Sequence, residues 1–196
     1  MTFVDANPYP WPWDGDLSPA RLALVVAGAQ RYWTSRTVDP QAALARVDAL
    51  AGAARRLAVP VVWIRHGRVA TSRNSIPESG TGEWDLAARP YATDLVVDAA
   101  GHDGCFGGSL EAVLRSARRD RVLMCGLGLE GPVHSTLRAL NDRGFECLTV
   151  SDACAPHDST SAAAALSTIT LSFGIFGAIA PVASVLEALP TEVFAP

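Results

Sequence analysis

The chain has 196 residues, of which 49% are hydrophobic and 18% charged, and a formal net charge of −4. This is length and apolar content enough for one buried core, and the composition excludes a disordered chain. The acidic balance argues against nucleic acid as a partner, because phosphate recognition needs a basic excess; no apolar run reaches the roughly 18 residues of a membrane span, so no membrane partner is expected either.

The first sixteen residues carry Asp5, Asp14 and Asp16 and no basic residue, unlike a signal or transit peptide, and the cytoplasm is the expected compartment. Residues 1–20 read as an N-terminal extended arm: Pro8-Tyr9-Pro10-Trp11-Pro12-Trp13 is too apolar for a free tail and is expected to pack on its own domain or on a neighbouring subunit. Residues 21–196 read as a single α/β domain without repeat or linker.

Leu22–Ala27 is a strand apolar on both faces. Asp39-Pro40 offers an N-cap and a first-turn proline, and Leu44, Val47, Leu50, Ala54 and Leu57 follow at helical spacing. Strands are expected at 59–64 and 94–97. The connection between them contains Asn74, Pro77, Gly80 and Gly82, and a loop of that length suits a lid or binding loop. Ser109 is placed to cap a helix with Leu110, Val113, Leu114 and Ala117 inside. The strand 122–125 runs into the turn Gly126-Leu127-Gly128-Leu129-Glu130-Gly131, then a helix with Pro132 in its first turn and Gly144 at its end. Strands at 145–150 and 174–178, a helix from about Ser159 and a last helix opened by Pro181 complete the pattern. The basic cluster Arg115, Arg118, Arg119 and Arg121 reads as a solvated helix end.

Strands alternating with helices imply a three-layer α/β/α domain on a six-stranded, mostly parallel, doubly wound sheet. Its ligand site belongs at the carboxyl ends of the strands, near the switch in strand order. All the basic residues are arginine, so a lysine Schiff base is excluded. The cysteines Cys105, Cys125, Cys147 and Cys154 lack Cys-x-x-Cys spacing and read as free thiols; the four histidines are dispersed. No metal or other cofactor is expected.

Several stretches resemble the isochorismatase-like, or cysteine hydrolase, superfamily. Leu24-Val25-Val26-Ala27-Gly28-Ala29-Gln30 resembles its apolar strand followed by Asp-x-Gln. Asp94-Leu95-Val96-Val97-Asp98-Ala99 resembles the segment bearing its lysine, and Cys105-Phe106-Gly107-Gly108-Ser109-Leu110 the stretch that follows. Cys125-Gly126-Leu127, with Val133-His134-Ser135-Thr136, resembles the strand, non-proline cis peptide turn and helix that bear the cysteine. Asn141-Asp142-Arg143-Gly144-Phe145-Glu146-Cys147 and Ser151-Asp152-Ala153-Cys154-Ala155 resemble its fifth-strand signature. The resemblance covers nearly the whole chain and implies the family's fold. It also implies a mechanism of Asp acid/base, Lys charge stabilisation and Cys attack on a carbonyl, but the three positions are here Gly28, Ala99 and Pro132.

Other residues at the strand ends become the candidates. Glu130 reads as an acid/base or cation anchor, or as a carboxylate stabilised at a helix start. His66 reads as a base or ligand donor, or as a loop hydrogen-bonding group; Asp98 is the ionisable neighbour of the lysine-equivalent position. Gln30, Trp33, Gly128 and Leu129 are the expected ligand contacts. His102, Asp103 and Cys105 read as turn residues with one packed thiol, and His134 as a surface or interface residue. Two functions are open: hydrolase- or lyase-type chemistry on a small molecule without a cysteine, or a pseudoenzyme that binds a ligand or serves as partner of an active homologue. A homo-oligomer, most simply a dimer, is expected. A pocket filled by side chains favours the pseudoenzyme, and an open polar one the enzyme.

Overall fold

The computed structural model describes residues 2–67, 86–88 and 90–190. The expected lid, with Asn74, Pro77, Gly80 and Gly82, lies outside the described residues. Strands β1 (Leu22–Ala27), β2 (Val61–His66), β3 (Leu95–Ala99), β4 (Arg121–Leu127), β5 (Glu146–Ala155) and β6 (Ala178–Ala180) form one sheet in the order β3-β2-β1-β4-β5-β6. Every pairing is parallel. The chain winds outward from β1 to β3 and returns to place β4 beside β1, which puts the switch in strand order between these two.

Helix α2 (Pro40–Arg56) buries Leu44, Val47, Leu50 and Ala54 against one sheet face, beside α6 (Val182–Ala188). Helices α4 (His134–Asp142) and α5 (Ser159–Gly174) pack on the other face. Helix α3 (Leu110–Ser116) is tied next to α4 by Arg143 Nε donating to Glu111 Oε2 at 3.0 Å. β1 and β4 are buried along their whole length, as parallel strands covered by helices on both sides must be.

The details differ from the sequence-based expectations in several places. Asp39 sits in the left-handed region and Ser109 is non-extended, so neither side chain caps its helix. The strand expected at 174–178 is shorter and later, because Gly174 and Gly177 turn the chain at positive φ before Ala178. Arg121 is not a solvated helix end: it opens β4, its side chain is 1% exposed, and it pairs with Asp14 of the arm. The arm lies on its own domain, where Asn7 bridges to Ile179 of β6 and Trp11 is fully buried. No helix among the described residues is long and apolar enough to cross a membrane.

Candidate functional site

The carboxyl ends of β1 and β4 meet at Gly28 and the turn after Leu127. Pro132 does not open an ordinary α-helix as expected. Residues Leu129–Val133 form a π-helical turn that includes Pro132, and α4 starts only at His134. Gly128 initiates the turn at φ +72°, and a Cβ there would lie 2.9 Å from both Pro132 Cδ and Trp33 Cε3. Gly28 has φ +64°, and its Cβ would lie 2.2 Å from the Leu127 carbonyl oxygen and 2.7 Å from Pro132 Cγ. Both conformations favour glycine, and the space a side chain would take is already filled. The cis peptide bonds among the described residues are Asn7-Pro8 and Trp11-Pro12, so the 126–131 turn lacks the non-proline cis peptide of the sequences it resembles.

Trp33 lies on the short helix α1 (Arg31–Thr34). Its indole covers the turn: a Cβ on Gly131 would lie 3.4 Å from Trp33 Cη2 and 3.4 Å from His102 Nδ1. The Trp33 and His102 rings meet edge to face at 5.8 Å. His102 arrives there because Thr136 of α4 pins its loop, accepting from Gly104 N–H at 2.9 Å and donating to the His102 carbonyl at 3.2 Å. Sequence reasoning passed over His102 as a turn residue, since the one signal that would find it is the Thr136 hydroxyl, distant along the chain.

Gln30 is fully buried and clasps β2: its Nε2 donates to the His66 carbonyl and its Oε1 accepts from His66 N–H, both at 3.0 Å. The Ala29 carbonyl accepts from Ala87 N–H at 2.8 Å, and Gln30 bridges to Leu86, so residues 86–87 close over the end of β1. His66 is fully buried too, and its Nδ1 donates to the Gly101 carbonyl at 2.8 Å. A carbonyl can only accept, so the neutral ring carries its proton on Nδ1 and offers Nε2 as an acceptor. Burial, with a smaller contribution from His102, lowers the His66 pKa to about 4, and burial also lowers that of His102. His66 Nε2, His102 Nδ1 and Trp33 Nε1 are buried without a hydrogen-bond partner among the described residues.

The three candidate catalytic residues are not brought together. Glu130 is half-buried and accepts the His157 N–H with both carboxylate oxygens, at 3.1 and 3.0 Å, tying the π-turn to the loop after β5. Asp98 pairs in register with Arg65, one residue before the His66–Ala99 pair and so on the opposite sheet face. It is exposed, and two bonds from Arg65, at 2.5 and 2.8 Å, hold its carboxyl below the usual carboxylate range. His66 alone faces the side that carries His102 and α4, while Leu129 is buried in the turn and serves it as packing. The thiols offer no activated nucleophile. Burial raises Cys105 to about 11 and Cys154 to about 12, and pushes Cys125 and Cys147 well up. No group of three or more His, Cys, Asp or Glu among the described residues is arranged to hold a metal ion.

A family model described as "Isochorismatase domain" matches residues 22–180. The fold is similar to that of a cysteine hydrolase from Pseudomonas syringae pv. phaseolicola 1448A, with a TM-score of 0.80 and 20% identity over 96% of this chain and 97% of that one. It is similar to an isochorismatase-like hydrolase from Alkaliphilus metalliredigens, with a TM-score of 0.78 and 17% identity over 89% of this chain and 99% of that one. It is also similar to the N-carbamoylsarcosine amidase of Thermoplasma acidophilum, with a TM-score of 0.72 and 19% identity over 83% and 96% of the respective chains.

Proposed function

The chain belongs to the isochorismatase family and has its hydrolase fold, and from that premise we propose that it binds a small molecule at the β1–β4 crevice without the family's cysteine chemistry. The observation that carries this reading is the contact between Gly28 and Pro132. The resemblance equates these positions with the acid and the nucleophile, and here a Cβ at one would lie 2.7 Å from the ring of the other. A thiol-activating carboxylate has no volume to occupy. The third position, Ala99, is a buried methyl paired with His66.

The polar atoms without a hydrogen-bond partner among the described residues support ligand binding in place of catalysis. Buried polar atoms without partners are uncommon in folded proteins and ask for an explanation. Trp33 Nε1 is a donor, and His66 Nε2 and His102 Nδ1 are imidazole nitrogens kept neutral by burial. They suit a small uncharged ligand carrying both donors and acceptors, with the Trp33 indole as a wall. Titration of the purified protein with small carboxamides and ureas, followed by calorimetry and by NMR of the mixture, tests this. Saturable binding without product, weakened by Trp33→Phe, is expected. Turnover that thiol alkylation abolishes would sink the proposal.

A second reading is hydrolase- or lyase-type chemistry without a thiol, favoured by the neutral imidazoles of His66 and His102, which can accept a proton. It predicts product in the same mixtures, formed with alkylated protein and lost in a His102→Ala variant.

A further inference from the structure

The atoms that the binding reading assigns to a ligand are shut off from solvent: His66 Nε2, His102 Nδ1 and Trp33 Nε1 are all buried. A ligand reaches them only if one wall of the crevice moves, and the described walls are unequally held. β1 and β4 lie in the core along their whole length. The π-turn is clamped by Glu130, and the His102 loop is pinned by the Thr136 hydroxyl. Leu86 and Ala88 pack against the core, and Ala87 N–H bonds the Ala29 carbonyl between them. Residues 31–38, which carry Trp33 from Gln30 to the start of α2, are held differently. None of them is buried, and Trp33 is the side chain they pack, half-buried, against the core. Thr34, Ser35 and Thr37 turn their hydroxyls onto carbonyls of the segment itself, those of Arg31, Tyr32 and Trp33. The Arg36 guanidinium stacks on the Tyr32 ring at 3.9 Å. The segment is folded largely on itself and lies over the site as a unit.

Two hydrogen bonds tie this unit to the loop after β5. Val38 N–H donates to the Pro156 carbonyl at 2.8 Å, and His157 Nδ1 donates to the Arg36 carbonyl at 2.9 Å. A carbonyl only accepts, so the His157 ring carries a proton on Nδ1. The backbone N–H of the same residue is held by Glu130, so His157 joins the π-turn to the segment that covers it. We propose that residues 31–38 are the door of the ligand site and that the His157 imidazole is its latch, which makes His157 a positioning residue for Trp33. The door serves the binding reading given above, but its opening is measurable without a ligand. Shut, it lays the indole against Gly131 and edge to face with His102. Open, it uncovers the imidazoles of His66 and His102. The apolar area that the indole buries favours the shut state. His157 is exposed, so water can take over its bond to Arg36, and the latch contributes the modest net stabilisation of one such bond. Local opening against so small a barrier needs no global unfolding.

Diethylpyrocarbonate acylates neutral imidazole nitrogens, so it labels the buried His66 and His102 only while a wall of the site is open. Peptide mass mapping separates these two from the exposed His157, and labelling at less than one group per chain keeps the latch itself intact. His157→Ala removes the ring and keeps the backbone bond to Glu130. It should raise the labelling rates of His66 and His102 roughly tenfold, the change that about 1.4 kcal/mol of lost closure produces. Amide exchange at Val38, whose N–H opens with the door, should quicken by a similar factor while the melting curve stays in place. His157→Asn sets a side-chain N–H close to where Nδ1 stands, and should keep the parent rates. Parent rates of labelling and exchange in His157→Ala overturn the proposal. So does faster labelling without faster exchange at Val38, which would put the door in another wall. If the carboxamide and urea titrations find no binding, the binding reading alone fails, because the labelling rates measure the door without a ligand.

Discussion

A side chain at position 28 meets two separate penalties. The left-handed φ of +64° costs a non-glycine residue about 1–2 kcal/mol. The Cβ at 2.2 Å from the Leu127 carbonyl oxygen cannot be relieved by a rotamer change, because the colliding atom is backbone, and overpacking of this kind costs roughly 1–3 kcal/mol more. Gly28→Asp should therefore lower the unfolding free energy in urea by about 3 kcal/mol or more, and it should leave simple amides uncleaved. Ala99→Lys and Pro132→Cys should also be inactive singly, because triad members act as a unit. A Gly28→Asp protein as stable as the parent would show that the crevice opens readily. His66 makes a different claim. Its folded pKa of about 4 lies below the ordinary value near 6.5, so the unfolded chain binds the extra proton. The stability that follows is complete above about pH 6.5 and is lost as pH falls toward 4. The expected loss between pH 7 and pH 5 is about 2 kcal/mol. His102 and His134, whose pKa values burial also lowers, act in the same direction, whereas Glu146, raised chiefly by burial, opposes them at the acid end. Urea titrations at the two pH values measure the slope. In His66→Asn, whose amide can still donate to the Gly101 carbonyl, most of the slope should disappear; an unchanged slope would assign it to other groups.

The elements themselves were largely legible in the sequence. Apolar runs such as Leu22–Ala27 and the helical spacing of Leu44, Val47 and Leu50 carry direct periodic signals, and the strands and helices fall close to where these place them. The boundaries moved where backbone geometry decides. β2 begins at Val61, after Ala58 has turned the chain at positive φ, and β6 waits for Gly177. The π-helical turn had no periodic signature, because it inserts one residue into a pattern that otherwise continues into α4. The site was less legible for the same reason. Asp98 and Glu130 look catalytic in a linear reading, since both are carboxylates at strand ends. Strand alternation sends Asp98 to the Arg65 side, and a chain-distant amide claims Glu130. That amide joins two elements, so Glu130 should act as a clamp between the π-turn and the 155–158 loop. Hydrogen exchange at the His157 amide should quicken roughly tenfold in Glu130→Ala, the change that about 1.4 kcal/mol of lost local protection produces. It should quicken less in Glu130→Gln, which retains one acceptor oxygen. Exchange that stays at the parent rate in Glu130→Ala would show that the loop is held by other contacts.

Across the whole molecule the arm joins parts of the sheet that the α/β winding leaves apart. Its Asn7 exchanges two backbone bonds with Ile179 on the β6 edge, donating at 2.9 Å and accepting at 2.8 Å. Its Asp14 and Asp16 reach Arg21 at the start of β1 and the buried Arg121 of β4. The sequence indicated an apolar arm but gave no address for it, because Asp14 of the arm finds its partner Arg121 more than a hundred residues away. An arginine 1% exposed is tolerable only while its anionic partners remain, since an unpaired buried charge is far more costly than an apolar replacement of similar volume. Asp14→Asn combined with Asp16→Asn, which leaves Arg121 only the Glu146 carboxylate at 3.8 Å, should therefore destabilise the fold more than Arg121→Met, even though the methionine removes every ion pair of position 121. Between these anchors Trp11 is fully buried, with Val4 N–H donating to its carbonyl and its own N–H returning the bond at 3.0 Å. Truncating a buried tryptophan to alanine costs roughly 3–5 kcal/mol, so Trp11→Ala should lower the global unfolding free energy by that amount and free the Asn7 and Ile179 amides to exchange. A variant within about 1 kcal/mol of the parent would mean that the arm is an appendage and that the sheet edge at β6 stands without it.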